Sequence, residues 1–149
     1  MDSVFRWCSL ALLATLCLCE ETSTAWRQSE LIEPSALARA LDSADPPFVV
    51  CVADGVAYRT RHVAKAIFAG PAGKPAGIDL LKAAASVFSK DDGIVIYCGC
   101  CPLNKCPNVR PAYMALKEMG FTHVRVLDIM SNMQTEWYRP GYPSEGAKR

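Results

Sequence analysis

The chain has 149 residues, enough for one domain, and 51% are apolar against 21% charged, which excludes intrinsic disorder as its main state. Lys and Arg number 16 and Asp and Glu 15, a formal charge of +1. There is no excess charge to bind a nucleic-acid backbone or an anionic membrane surface, and no apolar run reaches the roughly 18 residues that a spanning helix needs.

At the N-terminus, Arg6 precedes a 13-residue apolar stretch, Trp7 to Cys19, and Ser23 and Ala25 are small residues two apart ahead of Trp26. A weakly cationic start, a short apolar core and a small-x-small site predict a secretory signal peptide over residues 1–25. The protein is then exported, periplasmic or secreted, and free of the membrane after cleavage. The mature domain is 26–149, a single unit of 124 residues with charge +3. Five cysteines stay with it: Cys51, Cys98, Cys100, Cys101 and Cys106. An odd number in an oxidising compartment leaves at least one sulfur unpaired, shared between chains, or chemically employed.

The mature chain alternates helices and strands. Pro34 in a first turn opens a helix over Pro34–Leu41, which Asp45-Pro46-Pro47 stops. Phe48–Val52 is a continuous apolar run, as in a parallel strand covered on both faces. A short polar segment leads to a second strand at Ala66–Ala69. Residues 70–77, rich in Gly and Pro, read as a loop before a helix over Ile78–Phe88. Ile94–Tyr97 is the strongest strand. A cysteine-rich loop, Cys98–Pro107, follows, and Asn108 is placed to cap a helix that runs to about Met119, with Gly120 at its stop. A strand over His123–Leu127 and a short helix over Ser131–Tyr138 complete the pattern. Strands separated by helices predict a doubly wound α/β domain with a mostly parallel sheet.

In such sheets ligands sit outside the carboxyl ends of the strands. Cys98 ends the Ile94–Tyr97 strand and faces the start of the next helix, whose N–H groups and dipole favour thiolate over thiol. Cys98 is therefore the candidate nucleophile. Lys105 and Arg110 flank the loop and are candidates for holding an anionic substrate. Cys100, Cys101 and Cys106 are candidates to resolve a sulfur adduct on Cys98, or to staple the loop as Cys101–Cys106 or Cys100–Cys106. Two other chemistries fit the same residues. The Cys98/Cys101 pair forms a Cys-x-x-Cys suited to thiol–disulfide exchange. The four sulfurs of Cys98, Cys100, Cys101 and Cys106 suit a soft metal, although one loop is an awkward source of all four zinc ligands and a Cu⁺ site with two or three thiolates is easier. A Cys-x5-Arg phosphatase loop is excluded, because Asn104 stands six past Cys98 and Pro107 six past Cys101. Met119, Met130 and Met133 are expected in the core, and Trp137 as a packing anchor.

Several segments, in order, resemble the rhodanese-like domain family over about Leu31–Pro143. They are Tyr58 with His62-Val63-Ala64-Lys65-Ala66, the strand ending at Cys98, Arg110-Pro111-Ala112, Met119-Gly120-Phe121-Thr122-His123-Val124, and Trp137 with Gly141-Tyr142-Pro143. The resemblance implies a five-stranded parallel sheet with helices on both faces and sulfur transfer through a persulfide on Cys98. Its implied partners are a small sulfur donor and a thiol or protein acceptor, with no cofactor, in a monomer. It places His62 in a structural turn. The family's active loop is compact, Cys-x-x-Gly-x-Arg, whereas twelve positions separate Cys98 from Arg110 here. The family's Asp-Val-Arg at the end of the second strand is Cys51-Val52-Ala53.

Overall fold

A computed structural model describes residues 25–146; the signal segment read over 1–25 lies outside the described residues except for Ala25. The chain runs β1 (Leu31–Ile32), α1 (Pro34–Leu41), β2 (Phe48–Cys51), α2 (Gly55–Thr60), β3 (His62–Val63), β4 (Ile67–Phe68), α3 (Pro75–Ala85), β5 (Ile94–Tyr97), α4 (Val109–Glu118), β6 (Val124–Leu127) and β7 (Ser144–Glu145). Single turns of 3-10 helix lie at Gln28–Glu30 and Leu103–Lys105, and a π-helical turn at Gln134–Tyr138.

Five strands form one parallel sheet in the order β1-β6-β5-β2-β4. The fold is α/β, as predicted. β5 lies at its centre, and Ile94, Val95 and Ile96 are fully buried, because a strand covered on both faces carries branched apolar side chains on both. Its register with β2 sets Cys51 opposite Tyr97, so both strands end at the same level. α3 packs on α4, and α4 on β5 and β6. Leu37, Leu81, Leu116 and Trp137 have no exposed surface; each contributes roughly 1.5–3 kcal/mol by burial. No helix among the described residues is long and apolar enough to cross a membrane.

Several boundaries differ from the sequence reading for identifiable reasons. The polar segment after β2 is a helix, α2, capped by Asp54, whose Oδ1 accepts from the N–H of Val56 (2.9 Å) and Ala57 (3.0 Å). α3 starts inside the Gly/Pro-rich stretch, because Pro75 takes a first-turn position. Gly77 lets that turn pass the Pro71 carbonyl, which a Cβ would meet at 2.1 Å. The last helix is only the π-helical turn, within which Trp137 donates Nε1–H to Pro143 O (3.1 Å). Met133 is buried as expected, but Met130 is 56% exposed. β3 and β7 make a small antiparallel pair away from the main sheet, holding His62 opposite Glu145.

Candidate functional site at the end of the central strand

The chain leaves β5 at Tyr97 and turns at Gly99, whose φ of +76° is open to glycine at little cost. A Cβ there would also meet Met133 Cγ at 2.8 Å. The turn folds Cys98 under the loop, leaving it 4% exposed, and stands Cys100 outside it. Pro102 and the 3-10 turn then reverse the chain. Leu103 anchors that turn, with its side chain buried and its N–H on the Ile129 carbonyl at 2.8 Å. The reversal brings Cys106 back to the sulfurs that precede it.

The result is one cluster: the Sγ atoms of Cys98, Cys100, Cys101 and Cys106 all lie within 4.8 Å of one another. Cys98 and Cys100 are closest at 2.8 Å, and Cys100 and Cys101 are 3.3 Å apart. All four are free thiols, so neither expected staple, Cys101–Cys106 or Cys100–Cys106, is formed. Nor does the pair proposed for thiol exchange, Cys98/Cys101, make the tightest contact; Cys100 takes that place. One loop was expected to be an awkward source of four ligands; the 3-10 turn doubles it back and gathers all four sulfurs.

Asn108 does not cap α4 with its side chain. Its Nδ2 donates to Cys98 Sγ (3.3 Å) and its Oδ1 accepts from the Gly73 N–H (2.8 Å). The backbone amides of Asn108 and Val109, expected to act on Cys98, instead work to lower the Cys106 thiol, against larger opposing effects. Contact with Cys98 and then burial push the Cys106 thiol up, and desolvation raises Cys101 and pushes Cys100 up to about 11.

On the other side of Cys98 lies a cavity of about 230 Å³. Cys51, Tyr97 and Cys98 form its floor, and Tyr58, Arg61 and Tyr138 stand around it. Arg61 lies 4.2 Å from the Tyr138 ring centroid. Burial raises both the Cys51 and Tyr97 groups, keeping these two parts of the floor neutral. Tyr97 Oη accepts from the Val63 N–H at 3.1 Å, tying the floor to the segment that carries Arg61 and His62. His62 stacks on Tyr58 at 3.9 Å and turns Nδ1 to the Tyr58 carbonyl (2.7 Å), a structural position.

The two cations nominated from the sequence lie elsewhere. Lys105 is exposed on the 3-10 turn. Arg110 stacks 3.8 Å above the Trp26 ring, beside a separate hollow shared with Cys106 and Asp128. Neither lines the cavity above Cys98. Arg61 was missed because nothing in the polar segment's periodicity announced α2. Its signal was the Asp54 cap, which, had it been read, would have placed Arg61 just after a helix at the edge of the site.

No family model and no curated protein matches the chain. Solved structures do. A rhodanese-like domain from Anabaena sp. aligns with a TM-score of 0.57 at 23% identity, covering 79% of this chain and 80% of that one. A Bacillus halodurans protein, BH2092, gives 0.62 at 24%, covering 79% and 77%. A rhodanese-like domain protein from Staphylococcus aureus gives 0.54 at 15%, covering 80% and 99%. The chain therefore has the rhodanese-like fold.

Proposed function

We propose that this protein is a sulfurtransferase-type carrier that holds sulfane sulfur as a persulfide on Cys98. The observation that carries the reading is the position of Cys98: at the carboxyl end of the central strand, on the floor of a cavity whose wall presents Arg61. A space of about 230 Å³ suits a donor of a few heavy atoms, smaller than a drug-sized ligand. In the first step the Cys98 thiolate attacks the outer sulfur of an anionic donor such as thiosulfate. A Cys98–sulfur bond forms, the donor S–S bond breaks, and sulfite leaves with the electron pair. In the second, an acceptor thiolate attacks the outer sulfur of the persulfide and regenerates the Cys98 thiolate. Arg61 supports the first step by attracting the anion, and Asn108 by donating to the Cys98 sulfur.

A second outcome for the persulfide is favoured by the 2.8 Å separation of Cys98 and Cys100. The Cys100 sulfur can attack Cys98, forming a Cys98–Cys100 disulfide and expelling the outer sulfur as sulfide. A thiol reductant then restores both cysteines.

Export belongs to the same reading. Cleavage after Ala25 leaves Trp26 at the new terminus, where its ring packs edge-on to Tyr113 at 5.3 Å and under Arg110. The test is a single turnover. Reduced, chelator-treated protein mixed with excess thiosulfate should release one equivalent of sulfite, and Cys98→Ser none. Equal sulfite release from both proteins would remove Cys98 from the mechanism.

A further inference from the structure

Sulfur transfer needs one cysteine, or two if the adduct is resolved internally, yet four sulfurs converge. Cys101 and Cys106 have no task in that chemistry. The loop nonetheless spends a buried leucine anchor, Leu103, and a chain reversal on bringing Cys106 back to Cys98. We infer that Cys98, Cys100, Cys101 and Cys106 form a binding site for a thiophilic d¹⁰ cation, with Zn²⁺ as the ion the geometry fits.

The distances support four-sulfur coordination. A tetrahedral site with Zn–S bonds of about 2.3 Å has sulfurs about 3.8 Å apart. The cluster brackets that value, with close pairs at 2.8 and 3.3 Å and every pair within 4.8 Å. Closing around a cation then takes side-chain rotations rather than a rearranged backbone. A tetrahedral set of four sulfurs selects Zn²⁺ over harder divalent ions, which favour oxygen ligands.

The surroundings suit the charge such a site carries. On binding, four thiols lose four protons and the Zn²⁺–tetrathiolate unit bears a net charge of −2. N–H groups aimed at the sulfurs spread that charge. Asn108 Nδ2 already donates to Cys98 at 3.3 Å. On the core side, a void of only about 10 Å³, walled by Leu103, Val109 and Ile129, holds no hydrating layer that competes for the cation. Because Cys98 is both ligand and nucleophile, an occupied site has no free Cys98 thiolate. Metal binding and persulfide formation therefore exclude each other.

The experiment uses the full-length reduced protein with Zn²⁺ and, separately, Co²⁺ as a spectroscopic stand-in. One Zn²⁺ per chain, release of about four protons, and intense tetrahedral thiolate-to-Co²⁺ absorption are expected. Cys100→Ser and Cys101→Ser, each checked for native circular dichroism, should weaken Zn²⁺ binding at least tenfold and change the Co²⁺ spectrum. Two variants are used so that a folding failure in one leaves the other as the test. Weak octahedral Co²⁺ bands in the native protein, absence of binding, or unchanged affinity in both variants would overturn the site. The sulfane reaction of metal-free protein is assayed separately, so the two readings fail independently. If both hold, one equivalent of Zn²⁺ blocks sulfite release and a chelator restores it.

Discussion

Asn108 is the residue through which packing and chemistry meet, because it faces Cys98 with a donor and Gly73 with an acceptor. Asn108→Leu strands the Gly73 N–H, a loss of about 1–3 kcal/mol that denaturant unfolding should detect. Asn108→Asp keeps the acceptor and replaces the donor with an anion facing the sulfur. Its stability should fall less, and persulfide formation should slow more than unfolding explains. A variant with native sulfite-release rates would show that Cys98 does not depend on this contact. Arg61 is separable in the same way. Arg61→Gln should raise the KM for thiosulfate about 10- to 100-fold, the range expected for a lost charge-assisted contact of roughly 1.5–3 kcal/mol. It should leave an uncharged sulfane donor less affected. Equal losses with charged and uncharged donors would assign Arg61 to packing on Tyr138 alone.

At the scale of elements, α2 depends on one cap. The N–H groups of Ala57 and Val56 hold the Asp54 carboxyl below its ordinary value. A group whose pKa is depressed in the folded protein stabilises it above the unfolded pKa, and that contribution is lost as pH falls through the folded value. Hydrogen-exchange protection at Val56 and Ala57 should therefore drop in acid, below about pH 4. Asp54→Asn should show no such acid step, and an identical acid response at Val56 and Ala57 in Asp54→Asn and the native chain would contradict the cap. The cysteine loop has a comparable single point of failure. Gly99→Ala places a Cβ in a left-handed turn against Met133, and should destabilise the protein by about 1–3 kcal/mol. An unchanged melting temperature would mean the turn is softer than its geometry indicates. These elements also mark where the sequence was legible. Pro34–Leu41 and Ile94–Tyr97 were read with correct ends, because one carries a first-turn proline and the other an unbroken branched apolar run. β1, β3 and β7 are two-residue strands with no periodicity to read, and they exist only through their partners.

For the whole molecule, the parallel order β1-β6-β5-β2-β4 brings the ends of β2 and β5 together, and Cys51, Tyr97 and Cys98 to one floor. That Cys98 stands at a strand end was legible from four residues, Ile94-Val95-Ile96-Tyr97. What surrounds it was not. The convergence of Cys106 depends on the 3-10 turn and on Leu103 reaching Ile129, a contact between segments far apart in the chain. Arg110 looked suitable by proximity in sequence, but its direction from α4 carries it to Trp26. The step to test first is the transfer of sulfane sulfur to Cys98. Its most direct measurement is intact and peptide-mapped mass spectrometry of reduced, metal-free protein after one equivalent of sulfane donor, with free thiols counted. The expected result is either one added sulfur on the Cys98 peptide or, after resolution, free sulfide with a Cys98–Cys100 disulfide, and neither product in Cys98→Ser. Added sulfur on Cys51, Cys101 or Cys106 with Cys98 unmodified would contradict it.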